Sequence, residues 1–192
     1  MTWWKRLIWV GCAFLALALY VLPMLIQQLA ITYQFPKQWS LGLGILLIFL
    51  TLLVFVVVAK KAGILSQSGK IFQQGDGKRI ALGLLSMLLI SVLGTVLLRW
   101  LHGEVTTANQ ASLMEEFRRG DIVLLSIMLG VLAPIAEEII FRGIIPLKIF
   151  KGYESWGYII GGLLFALFHG PTNIMSFVIY GGGSVILTLL AY

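Results

Sequence analysis

Charged residues and cysteine are both scarce in this sequence, and each scarcity excludes a class of protein. Charged residues make up 11% of the 192 residues and hydrophobic residues 59%, whereas a soluble domain carries about 25% charged residues. Cys12 is the only cysteine, so an intramolecular disulfide is impossible and a thiolate metal site is not indicated. The net charge is +6, but the basic residues are scattered over short segments. That distribution fits contact with anionic membrane lipids and argues against a nucleic-acid partner.

Aspartate and histidine are also rare, which narrows the chemistry available inside a membrane. The only aspartates are Asp76 and Asp121, both at loop or helix-end positions, so an intramembrane aspartyl dyad is not expected. The only histidines are His102 and His169, and the zinc motif His-Glu-x-x-His is absent. Ser184 follows three glycines, but no histidine follows it and the Gly-x-Ser-x-Gly motif of serine hydrolases is absent.

Long hydrophobic runs, by contrast, are abundant. A helix that crosses a bilayer needs about 20 apolar residues, and six stretches reach or approach that length. They lie near Leu7–Leu29, Leu41–Ala59, Ile80–Leu98, Ile122–Pro146, Trp156–His169 and Asn173–Tyr192. We therefore predict an all-α, polytopic membrane helical bundle with about six transmembrane helices, forming a single membrane domain over residues 1–192.

The first run and the loop charges predict the orientation. Lys5 and Arg6 precede a run that continues to Leu29 without a polar region, so we expect a retained anchor and not a cleaved signal peptide. With the N-terminus inside, nine basic residues fall on the inner side and four on the outer side, which favours that orientation in the cell membrane. The inner residues are Lys5, Arg6, Lys60, Lys61, Lys70, Lys78, Arg79, Lys148 and Lys151, and the outer ones are Lys37, Arg99, Arg118 and Arg119.

Two local patterns predict further features, a helix at the membrane surface and a close contact between two helices. The polar stretch Ala108–Arg119 is predicted to form a short amphipathic helix at the membrane surface. The glycines Gly181, Gly182 and Gly183 in the last run are predicted to let another helix approach closely.

A pair of adjacent glutamates, Glu137 and Glu138, interrupts the fourth apolar run. Ionisable groups at membrane depth are costly and usually functional. Arg142 lies four residues after Glu138, on the same face of an α-helix and in the better orientation for an ion pair. We predict that Glu138 and Arg142 form a structural pair and that Glu137 faces the interior as a general base for water. The alternative is a buried ion-pair cluster that only locks the helix to its neighbours.

The second group of interest is His169, at the end of the fifth run. Phe165 precedes it by one turn and is predicted to wall the same site. Gly170 and Pro171 should end the helix, and Pro171 is predicted to begin the last one. His169 either binds a metal through one nitrogen or contacts the water that Glu137 activates, while the alternative is an interfacial histidine at a helix end.

These two stretches resemble the CPBP family of intramembrane proteases, which includes CAAX-processing and bacteriocin-processing enzymes and is often called Abi. The family pattern Glu-Glu-x-x-x-Arg is matched from Glu137 to Arg142, and Phe-x-x-x-His is matched from Phe165 to His169. The resemblance covers residues 121–192 and implies peptide-bond cleavage within or near the membrane, with Glu137 and His169 as the catalytic residues. It leaves open whether those two residues hold a divalent metal such as zinc or whether a glutamate-activated water acts without one.

The family's third motif, a histidine on a further helix followed four residues later by asparagine or a similar residue, has no counterpart in this sequence. We expect either a chain that stops before the last catalytic helix or a degenerate family member. For a truncated chain, the face of the last run that carries Gly182 and Ile186 should be apolar and unoccupied, and adding the missing motif should switch on cleavage.

The resulting prediction is an intramembrane endopeptidase that hydrolyses a membrane-associated peptide or protein. Its substrate would be a prenylated C-terminus, a leader peptide or a bacteriocin. The alternative is a non-catalytic membrane scaffold or bacteriocin-immunity protein of the same fold. A transporter fragment is a third reading, but the sequence shows no inverted repeat to support it.

Overall fold

The all-α prediction is confirmed: residues 2–65 and 75–191, which the computed structural model describes, contain seven helices and no strand. They are α1 (Trp3–Thr32), α2 (Lys37–Lys61), α3 (Asp76–His102), α4 (Ala108–Arg119), α5 (Ile122–Ile149), α6 (Glu154–Phe168) and α7 (Ile174–Ala191). The surface helix predicted from the amphipathic pattern is α4. Lys70, which entered the charge comparison, and Tyr192, the predicted end of the last run, lie outside the described residues.

Four of the described helices, α1, α2, α3 and α5, are long and apolar enough to cross a membrane. They correspond to the first four predicted runs. The last two runs form the shorter apolar helices α6 and α7, and the 15 residues of α6 extend over about 22 Å at 1.5 Å per residue. Large apolar side chains such as Phe49 and Leu84 are more than half exposed, as expected where lipid is the solvent. The chain is therefore a helical membrane protein.

The chain divides into two compact units. The first comprises Met1–Ser66 and Met114–Gly157, and the second comprises Gln67–Leu113 and Tyr158–Tyr192. The prediction of one membrane domain over residues 1–192 stays a prediction.

In the first unit, α1 and α5 pack against each other and run antiparallel. At one end, the Arg6 guanidinium donates hydrogen bonds to the carbonyl oxygens of Ile149, at 2.7 Å, and Lys151, at 2.8 Å. At the other end, the Gln27 side chain lies against Gly120. The core of this unit is a cluster of buried apolar side chains from α2 and α5. Its members are Ile48, Leu124, Leu125, Met128 and Leu132.

The start of α5 is fixed by Asp121. Its Oδ1 atom accepts hydrogen bonds from the backbone amides of Val123 and Leu124, at 3.0 and 3.2 Å, which satisfies amides that a helix start leaves without partners. The Lys37 ammonium lies 3.4 Å from its other oxygen. Burial alone would raise the pKa of Asp121, but the amide hydrogen bonds and Lys37 lower it overall. The aspartate therefore stays ionised and holds the start of α5 near the start of α2.

From Met128 to its end, α5 is mostly π-helical, which corrects the α-helical geometry assumed from the sequence. Residues Met128–Leu132 and Glu138–Ile149 are π-helical, and only Ala133–Glu137 between them is α-helical. The second segment ends where the Phe150 amide donates to the Ile145 carbonyl, five residues earlier. Segments of π-helix are rare and occur frequently at functional sites. Glu137 and Glu138 lie on either side of one such boundary.

The glycine at position 157 allows α6 to begin directly against the end of α5. A Cβ atom at Gly157 would lie 2.5 Å from the Pro146 Cα atom and 2.8 Å from the Phe150 Cβ atom. Because the nearest atom belongs to the backbone, Gly157→Ala should lower the free energy of unfolding by about 1–3 kcal/mol. Gly42→Ala is the matched control, since a Cβ there would meet nothing within 4 Å. Thermal melts in detergent compare the two, and equal melting temperatures would contradict the prediction.

In the second unit, α3 packs closely against α7 through glycines on both helices. A Cβ atom added at Gly94 would lie 2.4 Å from the Ile179 side chain, and one at Gly83 would meet Leu190 at the same distance. From α7, Gly182 faces the Ile90 side chain at 3.0 Å. The predicted close approach at the glycines of the last run is therefore confirmed.

The same contact corrects the expectation that the Gly182 and Ile186 face of the last run is unoccupied. Gly182 lies against α3, and Ile186 is partly buried. An apolar cavity of about 550 Å³ lies between α6 and α7, with Leu163 and Val185 among its lining residues. Because α3 covers the side of α7 that carries Gly182, the exposed face of α7 is the one that carries Val185.

Candidate functional site

The Glu137 side chain is half-buried and belongs to the first unit. It is the last residue of the short α-helical segment of α5, and the π-helical segment begins with the next residue. The hydroxyl group of Tyr20, on α1, donates a hydrogen bond to the Glu137 Oε1 atom over 3.4 Å. A carboxylate in an apolar helix thus has a polar partner from a different helix, which lowers the cost of keeping it there.

Sequence reasoning missed Tyr20. It lies 117 residues before Glu137, inside an apolar run that by itself reads as an anchor. The only signal was an aromatic residue with a polar tip within an otherwise apolar span, and such a tip usually finds a hydrogen-bond partner when buried.

Glu138 and Arg142 are in contact, as their spacing predicts. The Arg142 Nη1 atom donates to the Glu138 Oε2 atom over 3.3 Å. The two side chains differ in burial, because that of Arg142 is 4% exposed and that of Glu138 is 51% exposed. A π-helical turn holds more residues than an α-helical one, so positions four apart still lie within one turn. The structural role assigned to this pair stays a prediction.

His169 belongs to the second unit and directly follows Phe168, the last residue of α6. Its Nδ1 atom lies 2.8 Å from the Phe165 carbonyl oxygen. A carbonyl oxygen can only accept a hydrogen bond, so Nδ1 carries the hydrogen and the neutral ring keeps its lone pair on Nε2. The Phe165 ring lies against the imidazole with the ring centres 4.5 Å apart. One residue thus contributes both the backbone oxygen that sets the tautomer and the aromatic wall.

Tyr180, on α7, is a second neighbour of His169 that the sequence did not reveal. Its ring stacks on the imidazole, with the centres 4.6 Å apart and the planes inclined by 24°. Its hydroxyl group forms a short hydrogen bond with the Thr107 hydroxyl group, just before α4. The imidazole is therefore held between Phe165 and Tyr180, while Nε2 remains the atom with acceptor capacity.

The connection between His169 and α7 corrects the predicted start of the last helix. Gly170 takes a left-handed conformation, with φ of +59°, and ends α6 as predicted. The last helix begins at Ile174 and not at Pro171. Asn173 caps it, because the Ser176 amide donates to Asn173 Oδ1 at 2.8 Å and the Asn173 amide donates to Ser176 Oγ at 3.1 Å. This reciprocal pairing satisfies the end of the helix better than proline can.

A bound metal ion needs several ligating side chains that come together at one place. Structural and catalytic zinc sites use at least three protein ligands drawn from histidine, cysteine and carboxylates. Within residues 2–65 and 75–191, no group of three such side chains comes together. The described residues therefore do not fit the ligand set of a metal ion.

Glu137 and His169 are thus each placed in a defined environment, one in each unit. The prediction that they share one cavity stays a prediction.

Comparison with known proteins gives two matches. Residues 119–192 match the model of the Rce1-like family, described as type II CAAX prenyl endopeptidase Rce1-like. The chain is also similar to the UPF0177 protein YvdC of Lactococcus lactis subsp. lactis (strain IL1403), with 31% identity over 146 residues, which are 76% of this chain and 54% of that protein. The chain therefore spans about half the length of the curated relative that it matches. No solved structure matches the chain.

Proposed function

We infer that this chain, which belongs to the CPBP/CAAX protease family, is an intramembrane endopeptidase that uses Glu137 as its general base. The family model matches residues 119–192. The family is one of endopeptidases. The observation that carries the proposal for this chain is the half-buried Glu137 carboxylate. It lies in a helix long enough to span the membrane, within the matched segment, and it accepts a hydrogen bond from another helix.

The proposed reaction is hydrolysis of a peptide bond. Glu137 takes a proton from a water molecule, and the water oxygen attacks the peptide carbonyl carbon. The carbon–nitrogen bond then breaks, the proton passes from Glu137 to the leaving nitrogen, and the products are a carboxylic acid and an amine. The lone pair on His169 Nε2 would accept a hydrogen bond from the same water and align it for attack. This step requires the two residues to meet, which is part of the proposal.

The proposed roles of the remaining residues follow from their contacts. Glu138 and Arg142 would hold the π-helical segment of α5 in register, because a buried guanidinium needs its carboxylate. Phe165 would keep the His169 ring oriented. The protein would act in the cell membrane with its N-terminus on the cytoplasmic side.

The proposed substrate is a membrane-associated peptide, and the choice of anchor is open to a direct test. The full chain in lipid vesicles is incubated with one peptide sequence in three forms: prenylated near its C-terminus, extended by an apolar leader, or unmodified. We expect mass spectrometry to find a single internal cut in an anchored form and none in the unmodified one. Cleavage of all three at equal rates would contradict a membrane-restricted substrate. Absence of any cut, including after the missing histidine and asparagine motif is appended to the chain, would favour the scaffold or immunity alternative.

A further inference from the structure

We propose that Tyr20, on α1, is a positioning residue that holds the Glu137 carboxylate in the orientation that the reaction needs. The inference rests on the proposed function, since it concerns the same carboxylate. It goes beyond it because Tyr20 lies outside the family-matched residues 119–192. The first helix would then be part of the active site as well as an anchor.

The contact is direct and the tyrosine ring is well supported. The Tyr20 hydroxyl group lies 3.4 Å from Glu137 Oε1, a long hydrogen bond of the kind that tightens when substrate binds. The Tyr20 ring packs against the buried apolar cluster of the first unit, which includes Leu132. A ring held on its apolar side has little freedom to swing, so its hydroxyl group stays near the carboxylate.

Contacts at both ends of α1 fix the position of Tyr20 along α5. Arg6 binds the carbonyl oxygens of Ile149 and Lys151 at one end, and Gln27 lies against Gly120 at the other. Both contacts belong to the same antiparallel pair of helices. Sliding α1 by one turn would break them together, so the alignment of Tyr20 with Glu137 is built into the packing.

The chemical consequence concerns the second carboxylate oxygen. A phenolic hydroxyl group that donates to Oε1 leaves Oε2 to accept the proton of a water molecule. It also restricts rotation about the last side-chain bond of Glu137, which is otherwise broad. Holding a reacting group in its productive geometry raises the rate of the chemical step more than it changes binding.

The kinetic test removes only the hydroxyl group. Tyr20→Phe should lower kcat by about tenfold, the effect of one hydrogen bond to a charged group, and leave KM within about twofold. The melting temperature should stay the same, because the ring is kept. Tyr33→Phe is the matched control, since it deletes the same group from a side chain that is 72% exposed. An unchanged kcat in Tyr20→Phe, or an equal loss in Tyr33→Phe, would overturn the proposal.

A second test measures the contact without relying on activity. In a Cys12→Ser background, which removes the only native thiol, Tyr20→Cys is combined with Glu137→Cys and treated with a short bifunctional thiol reagent. An intramolecular link is expected, and the pair of Tyr20→Cys with Glu138→Cys should link far less. Failure to link at position 137 would overturn the contact itself. A link in a protein whose wild type cleaves nothing would mean that the proposed function fails and that Tyr20 is only a packing residue.

Discussion

Glu137→Gln should reduce peptide cleavage at least about a hundredfold, which is the lower end of what a general base contributes. The amide has nearly the same shape as the carboxylate and can still accept the Tyr20 hydrogen bond through its oxygen. It cannot take a proton from water at neutral pH. The rate constant for cleavage of the anchored peptide, measured in vesicles under single-turnover conditions, is the quantity to compare.

The control for this prediction is the amount and stability of the variant. Glu137→Gln removes a charge from a half-buried position, so it should accumulate and melt at least as well as the wild type. Glu115→Gln, on a carboxylate of α4 that is paired with Arg119 at the surface, should keep full activity. A Glu137→Gln protein that is folded and cleaves normally would remove the glutamate from the mechanism.

Arg142→Ala should lower the free energy of unfolding by about 3 kcal/mol, the lower end of the range for breaking a buried ion pair. The Arg142 side chain is 4% exposed and its guanidinium lies 3.3 Å from Glu138. Its removal leaves a carboxylate without that partner inside an apolar helix and an empty space where the side chain was. We expect reduced accumulation in the membrane and a lower melting temperature in detergent.

The matched control is Arg118→Ala. Arg118 also belongs to an ion pair within one helix, 3.8 Å from Glu115, but its side chain is 75% exposed. Such a surface pair contributes up to about 1 kcal/mol. Equal losses of stability in the two variants would show that burial does not increase the contribution of the Arg142 ion pair to the free energy of unfolding. Normal accumulation of Arg142→Ala would count against a structural role for the pair.

The sequence predicted contacts that depend on local spacing. Glu138 and Arg142 meet because residues four apart share a helix face, and Phe165 meets His169 for the same reason. The helices themselves follow from the length of the apolar runs, since a backbone in lipid must satisfy its hydrogen bonds internally. These features need no knowledge of the tertiary fold.

Other parts of the site depend on which helices pack together, and the sequence does not encode that in any simple period. Tyr20 reaches Glu137 across 117 residues, and Thr107 reaches Tyr180 across 73. The sequence predicts that the last helix begins at Pro171, a good first helical residue, whereas α7 begins at Ile174. Two reciprocal hydrogen bonds between Asn173 and Ser176 cap the helix and determine this later start.

The π-helical stretch of α5 has a consequence for how related sequences line up. A π-helical turn contains about one residue more than an α-helical turn, so losing one residue between Glu138 and Arg142, inside the π-helical segment, would return that one turn to α-helical geometry without breaking the chain. Every side chain on the Glu137 side would then rotate relative to Arg142. Relatives with a one-residue gap in this stretch should therefore place a different residue opposite their first helix. We therefore expect a one-residue gap at this turn to alter the surroundings of the carboxylate, and a gap in a surface loop to leave them unchanged.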